Sequence, residues 1–189
     1  DSGTLDGYYV RELVLEQNAD TIITQPLDSG RYLDGKRFSN WMIFARNGLL
    51  FQTGEYKSGM KHRQWKTYDT IDAKNELMRE QQFFEDDITG KETIHFRYDY
   101  SATPPKRINE KEIIHWQMGT LNGLYVKTDH DGKTLLKGNF LDSMKVEQWI
   151  ERKGDTIVEV GYLKNEKNGK YAARIGDKRI VDGVYAVGK

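Results

Sequence analysis

Apolar and polar positions along the chain repeat on two scales. At short range they alternate, as where Ile94, Phe96, Tyr98 and Tyr100 are set against His95, Arg97 and Asp99, and a period of two predicts strands. At long range the aromatic residues return in register. Counting from Gly30, Tyr32 stands at offset 2, Gly35 at 5, Trp41 at 11, Phe44 at 14 and Asn47-Gly48 at 17 and 18. Twenty-four residues later Gly54, Tyr56, Gly59, Trp65 and Tyr68 restart the pattern. It returns in Ile114, Trp116, Gly119, Gly123, Tyr125 and Asp131-Gly132, then in Gly138, Phe140 and Trp149, then in Tyr162, Gly169 and Tyr171, before a last strand near Val184-Tyr185. Self-similarity at a fixed period predicts one supersecondary unit repeated along the chain.

Strand geometry suggests why these offsets recur. A turn centred between offsets 6 and 7 sets Tyr32 opposite Trp41 and Tyr56 opposite Trp65 across antiparallel pairs. A second turn at offsets 17 and 18, where Asn47-Gly48 suits a type I′ hairpin, sets Trp41 against Gly54, so that a large ring fills the space the glycine leaves. In the C-terminal part the period shortens to 22 and the turn pair moves to Gly154-Asp155, which keeps Trp149 opposite Val160; Gly176-Asp177 repeats the arrangement. The expected fold is all-β, an elongated antiparallel meander of repeated β-hairpins in one domain.

Residues 1–29 are expected as an N-terminal hairpin, with Tyr8-Tyr9-Val10 and Leu13-Val14-Leu15 in one arm, Thr21-Ile22-Ile23 in the other, and Pro26 and Asp28-Ser29-Gly30 closing it. Regular units cover 30–69 and 114–189. Between them, 70–113 is irregular, because Gly54 to Ile114 spans 60 residues, two and a half periods. There, Glu92 to Tyr100 reads as a strand that Thr89-Gly90 turns back onto Phe83-Phe84, and Thr103-Pro104-Pro105 reads as a break. Asp72 to Gln82 suits a short helix or a polar strand, and the helix is the reading taken.

The spacing Gly-x-Tyr, Gly, then Trp and Tyr in Gly54 to Tyr68 resembles the MORN repeat, and more closely the bacterial MORN-variant proteins of the YwqK-type antitoxin-like family. The likeness covers 30–69 and 114 to about 186. Ser39, Arg63 and Glu147 depart from it where the pattern prefers glycine at offset 9, as do Ser143 and Asn165 at offset 5. The resemblance implies a single twisted sheet of hairpins that acts as a spacer or binding surface, with an antitoxin-like role.

Charge and composition narrow the function classes. Lys plus Arg and Asp plus Glu both number 29, which gives no reason to expect nucleic acid or an anionic membrane as partner. Low mean hydropathy with 12% aromatic residues suggests a thin fold with an aromatic seam. The absence of cysteine excludes disulfides and thiolate metal sites, and no run of 18 apolar residues offers a transmembrane span. The chain opens at Asp1, which points to a trimmed upstream segment; a secretory or lipoprotein signal would place the protein in a bacterial envelope, periplasmic or at the surface, while a shortened chain would look the same and leaves a cytoplasmic location open.

Candidate chemistry is sparse. His95 and His115 are expected on strands, pointing away from the seam, with no third ligand to complete a metal site; His62 is expected in a turn. Asp129-His130-Asp131-Gly132 has the start of a calcium loop without the downstream Glu, and its Asp-Gly already has a role as a hairpin turn. Glu85 and Asp87, on one strand face about 7 Å apart, have the spacing of a hydrolytic carboxylate pair. Lys61-His62-Arg63 and Lys106-Arg107 lie within reach of aromatics, although the charge balance makes nucleic acid a minor reading.

The feature with most functional content is the seam of Tyr32, Trp41, Tyr56, Trp65, Trp116, Tyr125, Phe140, Trp149, Tyr162 and Tyr171. Such a face either packs on itself, rings over glycines, or docks a peptide, glycan or lipid. The strand near Val184 offers another route, strand addition from a partner. The expected function is a non-catalytic protein-interaction scaffold without a cofactor. An envelope glycan- or lipid-binding module is the alternative, and a hydrolase using Glu85 and Asp87 ranks third.

Overall fold

The computed structural model describes residues 4–17 and 21–186. Its strands are β1 Gly7–Gln17, β2 Ile22–Leu33, β3 Lys36–Phe44, β4 Leu50–Lys57, β5 Met60–Tyr68, β6 Leu77–Phe84, β7 Asp87–Ile94, β8 Arg97–Asp99, β9 Lys106–Ile108, β10 Lys111–Gln117, β11 Thr120–Leu121, β12 Gly123–Thr128, β13 Thr134–Leu141, β14 Met144–Lys153, β15 Thr156–Leu163, β16 Glu166–Ile175 and β17 Lys178–Tyr185. The fold is all-β, an open antiparallel meander of hairpins. Two compact bodies divide between Asp87 and Ile88. In the first, β1 to β6 pair in chain order; in the second, the order is β7, β10, β12 and then β13 to β17, with β11 on β10 and β8 with β9 as a separate hairpin.

The long-range pairings follow the sequence pattern. Trp41 stands opposite Gly54 and Trp149 opposite Val160. The turns within each repeat differ from expectation: Tyr32 faces Arg37, and Tyr56 faces Lys61, not the tryptophans. The turn lies at offsets 4 and 5, where Asp34-Gly35, Ser58-Gly59, Glu85-Asp86, Met118-Gly119, Asp142-Ser143 and Lys164-Asn165 all have positive φ at both residues, the type I′ geometry that matches strand twist. This tighter turn leaves two residues over, and a bulge absorbs them. The bulge falls at offset 9, where Ser39, Arg63 and Glu147 have φ of 63°, 59° and 61° and Gly123 and Gly169 occupy the equivalent place. The repeat's preference for glycine at offsets 5 and 9 is therefore a preference for left-handed backbone.

The turns between repeats are of two kinds. Asn47-Gly48 is not type I′: only Gly48 has positive φ, and its N–H donates to Ala45 O at 3.0 Å in a three-residue loop. Gly132 closes the corresponding loop onto Asp129 O at 3.1 Å. In the 22-residue repeats, Gly154 and Gly176 have positive φ ahead of Asp155 and Asp177, a two-residue type II′ turn. The shorter loop matches the shorter period and preserves the pairing of Trp149 with Val160.

Four expectations outside the regular repeats are corrected. Pro26 and Asp28-Ser29-Gly30 do not close the first hairpin but lie inside β2, where the carboxylate of buried Asp28 accepts hydrogen bonds from Arg11 at 2.8 Å and Arg37 at 3.1 Å. Residues 72–82 contain no helix. The Asp69 carboxylate accepts the N–H of Ile71 at 2.8 Å, and the Asn75 amide ties the loop to Leu50 O at 2.8 Å, after which β6 pairs with β5; Leu77–Phe84 has no apolar stripe with which a helix would pack. Thr89-Gly90 is not a turn either, since both lie in β7, and the strand expected from Glu92 to Tyr100 is interrupted at His95-Phe96.

The middle holds a unit the spacing concealed. Counting from Gln81, Phe83 stands at offset 2, the turn pair Glu85-Asp86 at 4 and 5, the left-handed Gly90 at 9 and Glu92 at 11, where other units carry tryptophan. Leu5, Gly7 and Tyr9 occupy offsets 7, 9 and 11 ahead of Gly30, and Tyr9 pairs with Gly30 as Trp41 does with Gly54.

Candidate functional site

The seam is built by one contact made three times. A methyl group at Gly30, Gly54 or Gly138 would fall within the indole of Trp41, Trp65 or Trp149 respectively. Each ring thus covers the first residue of its own unit, not that of the next: Trp41 has Gly54 as its backbone neighbour, but the ring over Gly54 belongs to Trp65. The three indole N–H groups donate to the carbonyl at offset 1: Trp41 to Arg31 O at 3.2 Å, Trp65 to Glu55 O at 3.0 Å and Trp149 to Asn139 O at 3.2 Å. Where Val160 stands in the glycine's place no ring can lie over it, and Tyr171 turns the other way, onto Gly183.

These contacts bury Trp41, Trp65, Trp149 and Tyr56, while Tyr32, Trp116, Tyr125, Phe140, Tyr162 and Tyr171 are half-buried. In the first body Tyr9, Tyr32, Trp41, Tyr56 and Trp65 form an unbroken edge-to-face series with centroids 4.9 to 6.0 Å apart. In the second, Trp149 contacts Phe140 at 5.0 Å, Tyr125 at 6.1 Å and Tyr162 at 6.4 Å. Trp116 stands apart, its N–H donating to buried Glu92 at 2.8 Å.

Two features of the seam escaped the sequence reading. One is a cation at offset 7. Arg37 lies 4.4 Å from the Trp41 centroid and 5.3 Å from Tyr56; Lys61 sits over Trp65 and Phe83, Lys145 over Trp149 and Tyr162, and Lys167 over Tyr185. The seam is thus roofed by cations held on ring faces, and burial lowers the Lys61 ammonium below the ordinary lysine value, with Asp86 pulling the other way. Basic residues at one offset in four units were the available signal.

The other feature joins successive turns. The N–H at offset 5 donates to the carbonyl at offset 7 of the unit before, from Gly59 to Arg37, Asp86 to Lys61, Gly119 to Ile88, Ser143 to Leu121 and Asn165 to Lys145. Where offset 5 is not glycine, its side chain accepts the N–H at that same partner: Asp86 from Lys61 at 2.6 Å, Ser143 from Leu121 at 3.2 Å and Asn165 from Lys145 at 2.7 Å. Asp, Ser and Asn tolerate the turn and add a bond that glycine lacks.

The other candidate residues have structural roles. Glu85 and Asp87 do not share a strand face, because Glu85 is the first residue of a turn. His62 lies in β5, not a turn, its ring 5.8 Å from Phe84. His95 lies between strands, and His115 Nδ1 is 2.7 Å from Leu124 O. The Asp129 carboxylate accepts the N–H groups of Asp131 and Lys133, and exposed His130 meets Asp131 at 3.2 Å. Arg63 pairs with Glu55, and Arg107 lies 3.6 Å over Phe96, next to Lys106 in β9. Among the described residues no three His, Asp or Glu side chains converge as metal ligands would.

In the second body a polar network occupies the seam at β10. Buried Glu112 accepts from Arg97 at 2.6 Å and from the Tyr125 hydroxyl at 3.0 Å. Burial pushes the Tyr125 phenol well above the ordinary tyrosine value, and the Glu112 charge pushes it the same way. The folded state then holds a proton that the unfolded chain releases near pH 10, so stability falls as pH rises through about 10. In an absorbance titration, Tyr125 is expected to ionise only as the second body unfolds, and Glu112→Gln is expected to bring its ionisation down; a phenol titrating with the exposed tyrosines would contradict the network.

Comparison with protein-family models and with curated proteins gave no match to this chain.

Proposed function

We propose that this chain is a non-catalytic repeat protein that works as an interaction scaffold, antitoxin-like in the sense of the MORN-variant family its repeats resemble. The observation that carries this reading is β17. Among the described strands it pairs with β16 alone, and Ile180, Val181 and Val184 are 55%, 44% and 73% exposed. A strand with one unpaired edge and exposed β-branched side chains accepts an extended segment of another protein by strand addition. The aromatic seam supports the same division of labour, since its tryptophans are spent on packing.

A photoreactive residue at Val184 is expected to give one dominant protein adduct in the native host, and Ile180→Lys with Val184→Lys to abolish binding of that protein without lowering stability. Adducts that survive the double substitution, or no adduct at all, would count against β17.

A further inference from the structure

The face opposite the seam carries a cleft in the first body. Ser29, Met42, Thr53 and Lys66 stand directly across from one another on β2, β3, β4 and β5. Together with Asn40 and Gln64 from the same face, and with Tyr8 and Tyr68, they line an open concavity of about 430 Å³, a volume within the roughly 300–1,000 Å³ of small-ligand sites. Its floor includes the backbone at Gly30 and Gly54, whose other side lies under the indoles of Trp41 and Trp65. The packing that closes the seam therefore also shapes the cleft.

The lining selects a class of ligand. Gln64 Nε2 is held by Glu80 at 3.2 Å, which leaves its carbonyl to accept, and the Thr53 hydroxyl donates to Trp41 O at 2.9 Å, which leaves its lone pairs. Asn40 is exposed and presents both a donor and an acceptor. Tyr8 is 74% exposed and Tyr68 half-buried, and both stand in the lining beside the neutral groups. An anion would meet one ammonium, that of Lys66, and an acyl chain would meet Met42 as the one aliphatic side chain in the lining.

We propose that this cleft binds a neutral saccharide, with the C–H face of a pyranose on a tyrosine ring and its hydroxyls exchanging hydrogen bonds with Asn40, Gln64 and Thr53. This site goes beyond the scaffold reading and uses a surface that β17 does not share, so either can fail alone.

The test uses the full chain on an array of neutral glycans, followed by amide NMR with the best-bound oligosaccharide. Inorganic phosphate and phosphatidylglycerol vesicles form separate arms. A neutral oligosaccharide is expected to shift the side-chain amide signals of Asn40 and Gln64 at millimolar concentration. Tyr8→Ala and Asn40→Ala, both at exposed positions, should each weaken binding about tenfold, while Tyr100→Ala, a 70% exposed tyrosine outside the cleft, should leave it unchanged. The site is overturned if no neutral glycan moves those signals, if phosphate or vesicles move them instead, or if binding survives both cleft substitutions.

Discussion

Trp65→Ala is expected to destabilise the first body by about 3–5 kcal/mol, the range for removing a large buried aromatic. The ring is 2% exposed, lies over Gly54, donates to Glu55 O, meets Tyr56 edge-on at 4.9 Å and carries the Lys61 ammonium at 4.4 Å. Its loss leaves a void that Gly54 has no side chain to fill, and returns a partly buried cation to a site without its ring. Urea unfolding followed by circular dichroism reads the loss as a lower midpoint at constant slope. Trp116→Ala should cost less, because that ring is only half-buried. Equal costs for the two would mean that the depth of burial of the ring has no weight.

Gly138→Ala is the reverse experiment, with an expected cost of about 1–3 kcal/mol for one added methyl. The backbone at Gly138 is not left-handed, so alanine brings no conformational penalty; what it meets is the Trp149 indole. That ring cannot retreat easily, since its N–H is held by Asn139 O and Val146 O and its face by Lys145. A Gly138→Ala protein as stable as the parent would show that the ring is free to move aside.

Much of this arrangement was legible in the chain because ring and glycine recur at fixed offsets, and strand pairing leaves few registers that bring them together. The pairings of Trp41 with Gly54 and Trp149 with Val160 follow from counting alone. A symmetric hairpin puts the turn within each repeat two positions too late. Asp34-Gly35 and Ser58-Gly59 are type I′ signals two positions earlier, and only a bulge at Ser39 or Arg63 reconciles them with the outer pairing. A bulge has no signature in apolar periodicity; its trace was the glycine preference at offset 9. The middle was opaque for a related reason: with Glu85-Asp86 as a turn lacking glycine and Glu92 at the tryptophan position, both markers of the repeat are absent. The cleft was not legible at all. Tyr8, Asn40, Gln64 and Tyr68 come from β1, β3 and β5, and only the register places them on one face.

The most direct test is a double-mutant cycle between Gly138 and Trp149. If the indole is what forbids a side chain at Gly138, Gly138→Ala should lose nearly all of its cost in the Trp149→Ala background, giving a coupling of about 1–3 kcal/mol. An alanine at 138 that costs the same with and without the ring would contradict the claim that rings over bare backbone hold these hairpins together.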